Sequence, residues 1–94
     1  PTYRCAVAAA SYRVDDFDLA MELLLALEAE EYHAQLDPHP EVQILLAMCE
    51  FQLGKGAESA ERLVKLDAEM ARPLWQRLAG DLYEEARLLI LEGD

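Results

Sequence analysis

Four groups of turn-forming residues divide this sequence into five stretches with helical periodicity. The groups are Asp15-Asp16, the run DPHP at 37–40, Gly54-Lys55-Gly56 and Pro73. Aspartate caps helix N-termini, proline restricts the residue before it and removes a backbone donor, and glycine ends helices. Between the groups apolar residues recur every three or four positions, and no useful length alternates with a period of two. We therefore predict an all-α protein with helices at about 3–14, 17–31, 40–53, 57–70 and 73–91.

The length of the chain suits one domain. Its 94 residues, 53% of them hydrophobic, can enclose a single small core. Aromatic residues make up only 7%, so Leu, Ala, Val and Met must fill that core. We predict one domain over 1–94, which consists of a hairpin at 1–32, a loop at 33–39, a second hairpin at 40–71 and a capping helix at 72–92.

The predicted hairpins resemble tetratricopeptide (TPR) repeats. A TPR is a helical hairpin of about 34 residues with small and aromatic residues where its helices A and B cross. Two units carry residues similar to this pattern: Val7, Ala8, Tyr12, Asp16, Phe17 and Ala20 in the first, and Ile44, Ala47, Met48, Phe51 and Ala60 in the second. A third unit opens with W-x2-L-A-x2-L, formed by Trp75, Leu78, Ala79 and Leu82. The resemblance implies a TPR-like helical hairpin array of two degenerate repeats plus the capping helix, with a concave side.

The resemblance to TPR arrays also places a binding groove on positions 2, 5, 9 and 12 of each helix A. Here the corresponding residues are Thr2, Cys5, Ala9, Tyr12, Val42, Leu45, Cys49, Gln52, Pro73, Gln76, Gly80 and Tyr83. The set contains no Lys, Arg or Asn, so it does not suit the terminal carboxylate of a peptide. It suits the apolar face of an amphipathic helix. The alternative is that some of these side chains pack against the next hairpin or against a second copy in a homodimer.

The segment 47–57 (AMCEFQLGKGA) resembles one TPR-like family in particular. Chaperones of the bacterial type III secretion needle subunit carry a similar stretch after a proline-containing loop. The resemblance implies a bacterial cytoplasmic chaperone that holds an amphipathic helix of the needle subunit and prevents premature polymerisation, usually with a small helical co-chaperone. On this basis Tyr12, Leu45, Cys49 and Tyr83 are expected to contact the client, and Leu45→Asp to abolish its co-purification without loss of helicity. The alternative is another TPR-like scaffold, or a chaperone for a different secreted client.

The charge of the chain disfavours two classes of partner. The net charge is −11, and residues 14–54 contain ten Asp or Glu and no Lys or Arg. Such a chain has no basic footprint for nucleic acid and no polybasic segment for an anionic membrane. Most of these acids fall outside the groove positions, so we expect them on the outer face. There they favour solubility and offer a salt-sensitive docking surface to a basic co-chaperone.

Few residues suggest catalytic or metal chemistry. His33, Asp37 and His39 form the spacing H-x3-D-x-H in the predicted loop, which is compatible with a metal site but better explained as a solvated loop of turn formers. Cys5 and Cys49 are too few for a disulfide framework, and no basic partner is identifiable that lowers the pKa of Cys49. We predict no catalysis, no metal and no cofactor.

Targeting signals are not visible either. No apolar run approaches the roughly 18 residues of a transmembrane span, and the sequence shows no basic segment followed by an apolar stretch at its start. With two cysteines and no disulfide framework, we predict the reducing bacterial cytoplasm.

Overall fold

A computed structural model describes residues 2–35 and 39–92, which form five α-helices and no strand. The helices are α1 (Thr2–Arg13), α2 (Phe17–His33), α3 (Pro40–Gln52), α4 (Gly56–Glu69) and α5 (Pro73–Glu92). The prediction of an all-α protein with five helices is confirmed. Every helix end lies within two residues of its predicted position, and the largest difference is at α2, which continues through His33.

Local capping interactions account for these boundaries. The Asp16 carboxylate accepts a hydrogen bond from a backbone N–H of the first turn of α2 at 3.3 Å. His39 caps α3 in the same way through Nδ1, and Pro40 occupies the first turn, where a backbone N–H has no helical partner to lose. Gly54 follows α3 with φ +83°, a left-handed conformation that glycine adopts without steric cost. Each of these interactions involves residues close in sequence.

Helix α3 is the centre of the fold. It contacts each of the other four helices, and every residue from Ile44 to Glu50 is buried. Helix α1 packs against α2, α3 packs against α4, and α5 packs against both α3 and α4. A helix that packs against four others needs apolar residues over most of its circumference, and residues 44–49 (ILLAMC) supply them. The two predicted hairpins therefore share one core through α3, while a TPR superhelix remains a prediction.

Small side chains are buried between the helices. Ala8, Ala20 and Ala47 are 0% exposed, at positions where the TPR pattern requires small residues. In α4, Ala60 is exposed and Ser59 is the buried small residue instead. The Ser59 hydroxyl donates to the backbone carbonyl oxygen three residues before it at 2.9 Å, so its burial leaves no polar group unsatisfied. The small residue that α4 buries therefore lies one position before the one that the TPR pattern predicts.

Helix α5 is interrupted in the middle. Ala79 has φ −147° and ψ 19°, which are not helical values, so the predicted capping helix consists of two segments. The first segment carries Trp75 and the second carries Tyr83 and Ala86, and all three side chains are buried. Neither α5 nor any other helix of the described residues has the length and apolar character needed to cross a membrane.

Candidate functional site

The groove predicted from the TPR positions is largely closed. Its residues Tyr12, Leu45, Cys49 and Tyr83 are 7%, 1%, 0% and 6% exposed, and Cys5 is also buried. These five side chains belong to the core and do not form an open surface, which corrects our expectation. The physical reason is that α1 and α5 both pack against α3. Val42 is buried as well. Five other residues of the set remain accessible in part or in full: Ala9, Gln52, Pro73, Gln76 and Gly80. The Thr2 side chain lies outside the described part of the structure.

Hydrogen bonds hold several of these side chains within the fold. Gln52 donates through Nε2 to the Tyr12 hydroxyl oxygen at 3.2 Å, which joins α3 to α1. The Tyr83 hydroxyl donates to the Asp67 carboxylate at 2.8 Å, which joins α5 to α4. Gln76 donates to the backbone carbonyl oxygen at the C-cap of α4 at 2.6 Å. A client that enters this groove therefore has to displace contacts that the chain makes with itself.

An ion pair joins the two outer helices of the predicted groove. Arg13 of α1 donates two hydrogen bonds to the Glu85 carboxylate of α5, one of them 2.8 Å long. The hydrogen bond from Arg13 also lowers the pKa of the Glu85 carboxyl group. Because the side chains are 54% and 42% exposed, the pair is worth at most about 1 kcal/mol. Apolar burial around α3 therefore contributes more to closing this groove than the ion pair does.

Burial changes the chemistry of the two cysteines, which are both free thiols. Burial is the main cause, and together with the nearby carboxylates of Glu41 for Cys5 and Glu50 for Cys49 it raises the pKa of each thiol from 9.0 to about 11. Cys5 also donates through Sγ to Glu41 at 3.6 Å. At neutral pH both residues are protonated and lack the thiolate that nucleophilic attack requires.

The raised thiol pKa values predict slow thiol chemistry. At pH 8 we expect the native thiols to react with Ellman's reagent about a hundredfold more slowly than those of the chain unfolded in guanidinium chloride, because the thiolate fraction is smaller. The folded state holds the thiol protons more tightly, so the free energy of unfolding should fall as the pH rises from about 9 to about 11. Denaturant titrations measure this second effect. Equal reaction rates in the native and unfolded chains would contradict the burial of both thiols.

A second concave surface is open to solvent. Helices α2, α3 and α4, together with the start of α5, line a cleft of about 1240 Å³, which we call the α2–α4 cleft. The side from α2 is partly apolar, α3 contributes polar residues, and the side from α4 is mostly charged. The residues that define the cleft are Leu25, Glu28, Ala29, Glu31, Tyr32 and His33; Gln35; Gln43 and Glu50; Glu58, Glu61, Arg62, Lys65, Leu66 and Glu69; and Arg72 and Trp75.

Three residues of α2 form the apolar side of this cleft. Leu25, Ala29 and Tyr32 are four and three positions apart, so they share one face of the helix. Leu25 is 45% exposed and Tyr32 is 80% exposed. Trp75 lines the same cleft but is 5% exposed. The α2–α4 cleft therefore offers apolar surface that the described residues leave uncovered.

This surface was not predicted from the sequence. We expected α2 to end at Glu31, which placed Tyr32 in a loop, and we assigned groove positions only to the helices that became α1, α3 and α5. Leu25 was a usable signal, because it lies off the buried face of α2 that contains Leu24 and Leu27. A single exposed apolar residue is common, but a row such as Leu25, Ala29 and Tyr32 on one helix face indicates a surface that is available to a partner.

A charged network connects the three helices of the cleft. Arg62 of α4 donates two hydrogen bonds to the Glu50 carboxylate of α3, at 2.9 and 3.2 Å. It also donates to Gln43 at 2.7 Å and to Glu28 of α2 at 3.3 Å. Burial lowers the pKa of Arg62, but the hydrogen bonds and charges of Glu50 and Glu28 together raise it by more, so the guanidinium stays charged. The network therefore ties α2 and α4 to α3 beneath the cleft.

Two of the H-x3-D-x-H residues are described, and they lie in different elements: His33 ends α2 and lines the α2–α4 cleft, and His39 is the N-cap of α3. His39 uses Nδ1 to cap α3, and its backbone N–H donates to Glu31 at 2.7 Å. Asp37 lies outside the described residues. Among residues 2–35 and 39–92, no group of three His, Cys, Asp or Glu side chains is placed to hold a metal ion.

Similarity to known proteins gives no further information on function. Comparison with protein-family models, with curated proteins and with solved structures gave no match. The resemblance to TPR-like chaperones of the needle subunit therefore rests on the residues of this chain alone.

Proposed function

We propose that this chain is a bacterial cytoplasmic chaperone that binds an amphipathic helix of a type III secretion needle subunit in the α2–α4 cleft and prevents its premature polymerisation. One observation carries the proposal, namely that Leu25 and Tyr32 present uncovered apolar surface along a large cleft. The volume of about 1240 Å³ exceeds the roughly 300–1,000 Å³ of small-molecule pockets, which favours a polypeptide occupant.

The shape of the apolar side supports a helical occupant. Leu25 and Tyr32 are seven residues apart, which corresponds to about 10 Å along the axis of α2. Helices that bind in grooves use anchor residues at i, i+3 or i+4, and i+7, which cover a similar length. The opposite side of the cleft carries the charged residues of α4 and can face the polar side of the same client helix. An amphipathic helix therefore matches both sides of the cleft.

The identity of the client is proposed from the resemblance of segment 47–57. This segment includes Glu50, which lines the cleft, and the turn that precedes α4. A subunit that polymerises through an apolar helix face stays monomeric when a partner covers about 800 Å² of that face. A small helical co-chaperone is proposed on the same resemblance.

Leu25→Asp is expected to weaken binding of the needle subunit at least tenfold. Removing a leucine from an apolar contact costs about 1.5–3 kcal/mol, and about 1.4 kcal/mol corresponds to a factor of ten in Kd. Since Leu25 is 45% exposed, the variant should keep its fold. Isothermal titration calorimetry with a synthetic peptide of the needle subunit's C-terminal helix measures the change.

Val64→Asp is the matched control for this experiment. Val64 is 73% exposed on α4 and does not line the cleft, and the substitution changes the net charge by the same amount. We expect the affinity of this variant to stay within about twofold of the unmodified chain. Equal losses in both variants, or no loss with Leu25→Asp, would contradict the cleft as the binding site. Leu25-dependent binding of a different secreted protein would support the alternative client.

A further inference from the structure

The cations that line the α2–α4 cleft are each paired with a carboxylate. Arg62 is bonded to Glu50 and Glu28, as described above. Lys65 lies 3.9 Å from Glu61, and Arg72 lies 3.1 Å from Glu69. The cleft has six carboxylates and three of these cations along its lining, so it retains a negative charge.

Two carboxylates on α4 are the most available to an occupant. Glu58 and Glu61 are three residues apart on the helix, and both line the cleft. Glu58 has no ion-pair partner among the described residues. Glu61 is 73% exposed and its partner Lys65 is 77% exposed, an arrangement that binds weakly. Both carboxylates can therefore pair with cations from outside the chain.

A third carboxylate of the cleft has one oxygen for which the described residues supply no donor. Glu31 also lines the cleft, and its Oε1 atom is buried and accepts no hydrogen bond from the described residues. Its other oxygen accepts from the His39 backbone N–H at 2.7 Å. Buried carboxylate oxygens are normally satisfied by a donor.

We propose that the occupant of the α2–α4 cleft is a cationic amphipathic helix. Its apolar residues lie on Leu25 and Tyr32, and its Lys or Arg side chains lie opposite Glu58 and Glu61. This inference rests on the function proposed above and adds the charge of the client to it. Opposite charges speed the encounter and select against acidic helices, and added salt weakens the attraction because the Debye length is only about 8–10 Å near physiological ionic strength.

Two designed peptides test this selectivity by fluorescence anisotropy. The first is an 18-residue helix of Leu, Ala and Lys with leucines at i, i+4 and i+7 spacing, and the second replaces each Lys with Glu. We expect the Lys peptide to bind at least tenfold more tightly than the Glu peptide at low salt, and its affinity to fall by at least threefold when salt is raised from 50 to 300 mM.

A pair of charge-matched double variants localises the effect. The double variant Glu58→Gln with Glu61→Gln is expected to weaken binding of the Lys peptide about fivefold, because each exposed ion pair contributes only a modest free energy of binding. The control variant is Asp18→Asn with Glu22→Gln, which removes the same amount of charge outside the cleft. Asp18 lies in the first turn of α2, as Glu58 lies in the first turn of α4. We expect this control to lose less than twofold.

The outcomes separate the inference from the proposed function. Equal losses in the two double variants would overturn the inference, because the attraction would then come from the net charge of the chain. Equal affinity for both peptides, with binding still abolished by Leu25→Asp, would overturn the cationic client and leave the cleft in place. If Leu25→Asp leaves the affinity for the Lys peptide unchanged, the cleft is not the binding site. No binding of the Lys peptide up to 100 µM would also overturn the inference, while the needle-subunit titration tests the function separately.

Discussion

Replacing Leu45 with aspartate is expected to unfold the protein, and not only to remove a binding residue. Leu45 is 1% exposed and lies in α3, which contacts all the other helices. Truncating a buried leucine to alanine already costs about 2–5 kcal/mol, and burying an unpaired carboxylate is costly in addition. A domain has a free energy of unfolding of only about 5–15 kcal/mol. We therefore expect Leu45→Asp to lose most of its helical circular dichroism signal at room temperature.

The control for Leu45→Asp is again Val64→Asp, the same kind of substitution at a position that is 73% exposed. It should change the free energy of unfolding by about 0.5 kcal/mol or less. Far-UV circular dichroism and urea titration of both variants measure the difference. The opposite result is a Leu45→Asp chain that keeps its helical signal in buffer, unfolds cooperatively in urea and no longer binds its client. It would show that Leu45 lies on an open groove, as the TPR positions predicted.

The helix boundaries were predictable because their causes are local. Asp16 and Pro40 act on the turn that follows them, and Gly54 acts on the turn that precedes it. In each case the interacting residues lie within a few positions of each other in the sequence. The central place of α3 was also predictable, since residues 44–49 (ILLAMC) are six consecutive apolar residues, a pattern typical of a buried helix.

The closure of the predicted groove was not predictable from the same information. TPR positions indicate which residues of a helix A point toward the concave side, but not how closely neighbouring helices approach. In this chain α1 and α5 pack against α3, so Cys49 is covered, and Gln52 bonds to Tyr12. The interruption at Ala79, by contrast, had a local signal, because Gly80 follows it and glycine weakens the interior of a helix.

The α2–α4 cleft depends on contacts between residues that are distant in sequence. Arg62 is 34 residues from Glu28 and 12 from Glu50, and periodicity does not specify such pairings. The sequence shows that residues 14–54 contain no Lys or Arg, so the acids of α2 and α3 need a cation from another segment. It does not show that α4 supplies it. The packing of α4 against α3 determines that Arg62 is this cation, and the pairing contributes to the free energy of unfolding.

Arg62→Leu is expected to be the most destabilising substitution among the charged residues of the cleft. It leaves Glu50, which is 8% exposed, without its cationic partner. Removing one member of a buried ion pair costs about 3–5 kcal/mol, and the 23% exposure of the Arg62 side chain favours the lower end of that range. A loss of about 3 kcal/mol corresponds to a fall in Tm of about 12–24 °C for a domain of this size. Arg77→Leu, at an exposed arginine of α5, should change Tm by only a few degrees.

The double variant Arg62→Leu with Glu50→Leu distinguishes the need for pairing from the need for charge. An apolar pair in place of a buried ion pair is often neutral or stabilising, since both desolvation costs disappear together. We therefore expect the double variant to recover at least half of the stability that Arg62→Leu loses, as measured by thermal and urea unfolding. Glu28 and Gln43 lose the same donor, but their side chains are partly exposed, so water can replace it.

If the double variant is as unstable as the single one, the network is required as a whole to hold α2 and α4 on α3. A single variant that loses less than about 1 kcal/mol would instead place this ion pair in the class of ordinary surface pairs.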